Sequence, residues 1–300
     1  MSGSGGAAGG VLHLVATPIG NLGDLSPRAI DVLASAALVC CEDTRRTGRL
    51  LQHAGVRAAR LAVCNDHTEA SRIADVLEVL AAGGDVAVVT DAGTPGVSDP
   101  GERLVRAALD AGFRVSAVPG PVAAVTALVV SGLPTNRFVV EGFLPRAGRD
   151  RRQRLAEIAT EARTVVLYEA PHRIRRTLDD LVQACGADRP VAVARELTKL
   201  YEEVVRGSLG GIDIGEPRGE YVVVLGGAAN VAAAPDDDTV RRALRTAMDE
   251  GATRRDAVAA VAERLAVPKR VVYAIATAER VTAHGGDTLA AVPVSDGGDE

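Results

Sequence analysis

Thr90-Asp91-Ala92-Gly93-Thr94-Pro95-Gly96-Val97-Ser98-Asp99-Pro100-Gly101 leaves a near-continuous apolar run at 86–89 and enters an amphipathic helix at Glu102. A plain strand-to-helix connector needs about two to six residues. This one spends three glycines, two prolines and several small hydroxyl or carboxylate residues. At the carboxyl end of a buried parallel strand, backbone amides face a crevice, and small residues leave room for a ligand. The loop therefore reads as the rim of a small-molecule site, the plainer alternative being an ornate turn.

Outward from that loop, short β-rich runs at 11–16, 37–42, 60–63, 86–91, 114–118 and 138–141 alternate with helical patterns. Helices are predicted over 27–35, 68–82 and 101–111. The first has Ser26 as N-cap and Pro27 at its first position, and the others stop at Gly83-Gly84 and Gly112. Such alternation predicts a parallel sheet wrapped by helices. After Pro145 one more strand and helix, 164–169 and 172–185, precede runs at 191–196, 202–208 and 221–225 that have no helix-length insert between them. That predicts a mixed sheet ending in antiparallel strands. Residues 228–235 read as a linker, and three helices, 236–250, 253–265 and 268–280, resemble a helix-turn-helix. Arg254, Arg255, Lys269 and Arg270 near the helix starts suit phosphate contact, and docking or dimerisation suits the same packing equally. The expected division is a disordered N-terminus 1–10, α/β domains over 11–145 and 146–227, a helical extension 236–282, and a disordered acidic tail 283–300.

Three hundred residues with 47% hydrophobic content can bury a large core spread over about two domains. Apolar runs stop short of the roughly 18 residues that span a bilayer, and 1–10 has no cationic start or signal core. A cytoplasmic protein without a membrane partner is expected. Cys40, Cys41, Cys64 and Cys185 lack CxxC spacing, so reduced, buried thiols are expected and no metal. The net charge of −5 argues against bulk attraction to nucleic acid, yet Lys199 and Lys269 are the only lysines among many arginines. Five arginines fall in 145–154 and three more in 172–176, so either a local phosphate-binding face or a solvated helix face is available.

The first strand runs into Thr17-Pro18-Ile19-Gly20-Asn21-Leu22-Gly23-Asp24 in place of a GxGxxG turn. GxxxxGK[ST], GxSxG and HExxH are also missing, which removes kinase, hydrolase and zinc-protease readings. What remains is a set of Gly/Pro loops at strand ends, where backbone groups do the binding.

Those loops, together with VATPIGNLGDLSPRA (15–29), CEDTRRTGRLL (41–51), TDAGTPGVSDPG (90–101), VPGPVAAVTAL (118–128), GLPTNRFVVEGFLPR (132–146), YEAPHR (168–173), ARELTK (194–199) and GEYVVVLGG (219–227), resemble the ribosomal RNA small subunit methyltransferase I family of the tetrapyrrole methylase superfamily. The resemblance covers 11 to about 227 in order, and the helical tail is similar to that family's C-terminal extension. It implies two α/β domains with S-adenosyl-L-methionine folded in the cleft between them. It also implies methyl transfer to the ribose 2′-OH of a cytidine in the decoding region of 16S rRNA, within the 30S subunit, by a homodimer.

Carried onto this sequence, the resemblance puts the donor against Pro18, Gly93, Thr94, Pro95, Val97, Ser98, Ala123 and Ala124, and against Tyr168, Ala194, Glu196 and Tyr221 of the second domain. Threonine stands at 94 where the superfamily signature has aspartate. Methyl transfer to a hydroxyl needs an in-line approach and loss of the hydroxyl proton. Glu42, Asp43, His67, Asp91, Glu169 and His172 are the candidates to take it, with Glu42, Asp43 and Glu169 preferred, although Asp43 is equally placed to cap the next helix. Arg45, Arg146, His172, Arg173 and Arg195 suit a substrate path, guanidinium binding phosphate bidentately. Two other classes stay open: methylation of a tetrapyrrole precursor on the same fold, and a non-catalytic ribosome-binding module.

Overall fold

The computed structural model describes residues 9–228, 237–265 and 267–283, with side chains described as far as 277. The expected disorder over 1–8 and 284–300, and nearly all of the expected linker, lie outside the described residues.

The first sheet is built from β1 (Val11–Val15), β2 (Leu38–Cys41), β3 (Leu61–Val63), β4 (Val86–Val88) and β5 (Arg114–Val118). Its order is β3-β2-β4-β1-β5 and every pairing is parallel. The connecting helices are α1 (Pro27–Ser35), α2 (Thr44–His53), α3 (Glu69–Ala81) and α4 (Glu102–Asp110). Their local causes match the sequence: the Ser26 hydroxyl accepts from the Ala29 N–H at the start of α1, and the Asp43 carboxylate accepts from the Arg45 N–H at the start of α2. Leu12, Leu38, Val86 and Leu104 pack on one face of the sheet, and Val15, Leu33, Val39 and Val89 on the other. Burial on both faces is what an all-parallel sheet demands, and it explains the unbroken apolar runs.

The second sheet has the order β6-β7-β10-β8-β9, from β6 (Phe138–Phe143), β7 (Thr164–Glu169), β8 (Pro190–Arg195), β9 (Glu203–Ser208) and β10 (Tyr221–Leu225). β6 and β7 are parallel and the other pairs antiparallel, the mixed sheet expected. α6 (Gly148–Thr160) and α7 (Ile174–Cys185) cover one face. α5 (Ala123–Ser131) covers the other, with Ala124, Ala127 and Leu128 buried against Val166, Ala192, Ala194 and Val222.

The boundary expected at 145 therefore needs correction. β6 pairs with β7, and α5 packs on the second sheet although it follows directly from β5. The crossover between sheets lies at 119–122, ahead of α5. β6 continues the alternation of the first half in sequence, so only its pairing partner reveals where it belongs.

The described residues up to 228 form one compact unit containing both sheets, and those from 237 onward a second. In the second, α8 (Asp237–Asp249), α9 (Arg254–Arg264) and α10 (Lys269–Ala283) enclose Val240, Leu244, Ala257, Val261, Val272 and Ile275. The Thr253 hydroxyl accepts from the Asp256 N–H and caps α9.

Candidate active site

The loops leaving β1 and β4 are tied by a two-residue bridge: the Thr17 N–H donates to the Gly93 carbonyl at 2.8 Å, and the Gly93 N–H to the Thr17 carbonyl at 3.1 Å. Gly93 makes this possible at φ 92°, a backbone that side chains disfavour. The Thr94 hydroxyl donates to the Pro121 carbonyl at 3.1 Å, fastening the loop that leads into α5. The far end of the β4 loop is held by Glu69, a buried carboxylate on α3. It accepts from the N–H groups of Gly101, Arg103 and Leu104 at 3.0, 3.0 and 3.2 Å, and so caps α4 from another helix.

These loops and the strand ends of the second sheet enclose a cavity of about 310 Å³. From the first sheet it is lined by Glu42, Asp91, Gly93, Thr94, Val97, Ser98 and Asp99, and beside them by Ala123 of α5. From the second it is lined by Phe143, Tyr168, Glu169, Ala194, Glu196, Lys199, Glu220 and Tyr221. The Phe143 and Tyr168 rings lie 5.6 Å apart, centroid to centroid. The Tyr168 hydroxyl accepts from the Ala124 N–H at 3.2 Å, which leaves its own proton free to donate. Among the described residues, the non-glycines with positive φ are Ser98, Glu196 and Thr198, at 61°, 51° and 67°. Ser98 and Glu196 line the cavity, and the Thr198 hydroxyl accepts from the Asn21 N–H, so backbone strain concentrates here.

The electrostatics are one-sided. Both cations on the wall are already paired, Arg46 with Asp91 at 3.0 Å and Lys199 with Glu196 at 2.9 Å. Glu42 accepts from the Asp91 N–H at 2.9 Å, and burial, with the Asp91 charge adding to it, holds its carboxyl above the usual range. Asp99 is pushed up to about 7, first by burial and next by the Glu42 charge. One buried polar atom at the end of β4, Asp91 Oδ1, has no hydrogen-bond partner in the protein. Buried groups of this kind are rare unless a ligand or water completes them.

The structure gathers most of the expected donor residues and separates others. Gly93, Thr94, Val97, Ser98, Ala123, Tyr168, Ala194, Glu196 and Tyr221 line the cavity, and Ala124 stands one shell behind through its N–H. Pro95 is buried off the wall, and Pro18 lines a smaller neighbouring depression that shares Arg46 and Asp91. Of the preferred bases, Glu42 faces the cavity. Asp43 is spent as the α2 cap, its carboxyl held below the usual range by the Arg45 N–H. Glu169 reaches the wall, but its side chain is fully buried and accepts from Thr177 Oγ1 at 2.6 Å and the Ala170 N–H at 2.9 Å, with Arg173 Nε at 3.2 Å. Both of its oxygens are engaged by the segment 170–177 that leads into α7.

The arginines need a similar correction. Arg173 turns inward to Glu169 and the Leu144 carbonyl, and Arg195 pairs with Glu203 at 2.6 Å across β8 and β9. Arg151 is a core residue, its guanidinium bound to Asp180, the Thr177 hydroxyl and the Pro145 carbonyl. Arg45, Arg146 and His172 remain exposed. Sequence reasoning missed Asp99, Phe143, Lys199 and Glu220 as lining residues. Asp99 had a signal, being a carboxylate inside the ligand loop with no basic residue nearby in that loop.

Comparison with known proteins bears on the family and the fold. The family model of Tetrapyrrole (Corrin/Porphyrin) Methylases matches residues 11–213. The chain is 44% identical to Ribosomal RNA small subunit methyltransferase I of Synechocystis sp., over 88% of this chain and 96% of that protein. The methyltransferase CobJ superposes with a TM-score of 0.58 at 23% identity, over 74% of this chain and 95% of its own. Uroporphyrin-III C-methyltransferase from Thermus thermophilus complexed with S-adenosylhomocysteine gives 0.51 at 20% identity, over 73% and 97%. These two likenesses speak for the fold alone, whereas the family match and the Synechocystis relative together establish that the chain belongs to the ribosomal RNA small subunit methyltransferase I family of tetrapyrrole methylases.

Proposed function

We propose that the protein transfers the methyl group of S-adenosylmethionine to the ribose 2′-OH of a cytidine in the decoding region of 16S rRNA, within the 30S subunit. The carrying observation is the cavity: of about 310 Å³, net acidic, and lined by Asp91, whose buried Oδ1 has no partner in the protein. An acidic wall suits a ligand that carries a sulfonium and an ammonium, and the orphaned Asp91 oxygen suits one of its polar groups. Bound there, the donor supplies an electrophilic methyl on a positively charged sulfur. The family relative's name gives rRNA of the small subunit as what that protein methylates, and the Thermus neighbour holds the demethylated product.

The chain's own residues do the rest. Gly93, Thr94 and Ala123 form a close-fitting floor, Tyr168 offers a hydroxyl proton, and Glu42, fixed by the Asp91 N–H, orients the ribose. Arg45, Arg146 and His172, exposed around the body, contact RNA phosphates. Two copies pair through α5, which is apolar on all sides and leaves Val125 and Val129 exposed. The substrate places the work in the cytoplasm.

The test is transfer of labelled methyl from S-adenosylmethionine to 30S subunits lacking their own modifications, with naked 16S rRNA and a tetrapyrrole precursor in parallel. Label in the 30S rRNA mapping to a 2′-O-methylcytidine is expected. Label only in the tetrapyrrole, or none despite donor binding, would replace this reading with one of its alternatives.

A further inference from the structure

We propose that Asp99, on the loop that cradles the methyl donor, is the group that takes up the ribose hydroxyl proton as the oxygen is methylated. The inference rests on the rRNA methylation reading and names a residue within it.

The other carboxylates on the cavity wall are already engaged. Asp91 is ion-paired with Arg46, and Glu196 with Lys199. Glu169 is committed to Thr177, Ala170 and Arg173, and Glu42 to the Asp91 N–H. Glu220 is exposed and water-solvated. Asp99 alone is partly buried with neither a cation nor a backbone N–H within hydrogen-bonding reach among the described residues. It follows Ser98, held at φ 61°, whose hydroxyl lies against the glycine bulge of β6 at Gly142. Asp99 is thus carried on a fixed, strained support that faces the cavity. A base needs that position and a free lone pair.

Its surroundings come from four other elements. Glu42 at the β2 tip, Asp66 after β3 and Glu220 before β10 add negative charge, while the Thr90 hydroxyl works in the opposite direction. The Tyr168 hydroxyl on β7 stands across from it, and the Asp91 and Arg46 pair is close by. These groups leave Asp99 able to hold a proton near neutral pH, unlike a solvated aspartate. In the step, the oxygen–methyl bond forms as the sulfur–methyl bond breaks. The hydroxyl proton passes to an Asp99 carboxylate oxygen, and the bond electrons stay on sulfur, leaving a neutral thioether. No further reactant is required.

Asp99→Asn keeps shape and removes the base. Two measurements test it. The first is single-turnover methylation of 30S subunits against pH: the unsubstituted protein gains rate through an acidic limb near pH 7, and D99N loses that limb and on the order of 10²-fold in rate. Glu42→Gln removes the charge that acts most strongly on Asp99 and moves the limb to lower pH, a shift that a purely structural role would not produce. The second needs no RNA: difference infrared spectroscopy of unsubstituted protein against D99N follows the protonated carboxyl band, which titrates near 7. Far-UV circular dichroism of D99N matches that of the unsubstituted protein, showing that the fold survives. Transfer by the unsubstituted protein with an unchanged limb in D99N, or a band titrating near 4, overturns the role of Asp99 alone. Absence of transfer to any rRNA by the unsubstituted protein overturns the methylation reading, and the base assignment with it.

Discussion

The two sheets meet the same cavity with different materials. The first presents backbone: Gly93, Gly96 and Gly101 at positive φ, a cross-loop bridge to Thr17, and carboxylates set among them. The second presents side chains on strand ends, Tyr168, Ala194 and Tyr221, on a sheet whose covering helices α6 and α7 are tied together by the buried Arg151. A backbone wall keeps its shape only if its anchors hold, so substitutions there act through stability. A side-chain wall can change composition while the strands stay in place, so substitutions there act through affinity. Unfolding and binding measurements on single substitutions can break that division.

The largest effect falls behind the second wall. Arg151→Ala deletes a buried guanidinium's bonds to Asp180, Thr177 and the Pro145 carbonyl, leaves the half-buried Asp180 with Arg176 at 3.9 Å, and lowers stability by about 3 kcal/mol in urea unfolding. Arg152→Ala, one residue away and exposed, stays within about 0.5 kcal/mol. If Arg152→Ala, Arg149→Ala and Arg146→Ala combined also flatten the salt dependence of RNA binding, the cluster divides into a brace and a phosphate face. Equal stability losses at 151 and 152 would dissolve that distinction.

Next is the anchor of the first wall. Glu69→Ala leaves the N–H groups of Gly101, Arg103 and Leu104 without their acceptor and costs about 2–3 kcal/mol. Because those residues end the donor loop, S-adenosylhomocysteine binding weakens with it, while Glu69→Gln, which keeps the acceptor oxygen, recovers part of both. A loss of stability with full donor affinity would show that the loop holds its shape without the anchor.

Much of the fold and of the cavity rim is legible in the amino-acid sequence. Ser26-Pro27 starts a helix, Gly83 and Gly112 end two, and the β4 loop announces a ligand site by its glycines and prolines. Three features are hidden for physical reasons. α5 carries AAVTALVVS, apolar all round, so it lacks the 3.6-residue alternation that marks a helix packed on one side only. β6 has the spacing of the first half yet pairs with β7, and pairing is a long-range property that a strand's own residues do not encode. Arg151 reads like its neighbours in an arginine-rich run, and only the phase of α6 turns it inward to Asp180. The same limit applies to the carboxylates: sequence puts Asp43 and Glu169 at strand ends, and the hydrogen bonds that consume them come from α2 and α7.

Asp99 gives the backbone wall a pH signature. Its carboxyl, at about 7 in the folded protein against 3.8 ordinarily, binds its proton more tightly folded than unfolded. Its contribution to stability is fully present below about pH 4, falls as pH rises, and is lost once pH passes about 7. Asp99→Asn removes the penalty, so at pH 8 the variant is more stable than the unsubstituted protein by about 1–2 kcal/mol after solvent screening, and the gap closes at pH 4. Thermal unfolding of both proteins at the two pH values measures it. A gap that persists at pH 4 would trace the gain to packing and leave no place for charge.

The smallest effect tests whether the walls are independent. Tyr168 belongs to the second sheet, yet its hydroxyl accepts from the Ala124 N–H in the first turn of α5, one of the donors a helix start leaves unsatisfied. Tyr168→Phe keeps the ring contact with Phe143 and removes that acceptor, at a cost of about 1 kcal/mol. Since Ala123 lines the cavity beside Ala124, S-adenosylhomocysteine affinity drops about three- to five-fold by calorimetry, the same energy read through binding. A drop in affinity larger than the loss of stability would mean that the hydroxyl proton donates directly to the donor. Unchanged affinity with the full stability loss would mean that α5 holds its start without the second sheet, and that the two walls answer to separate sets of residues.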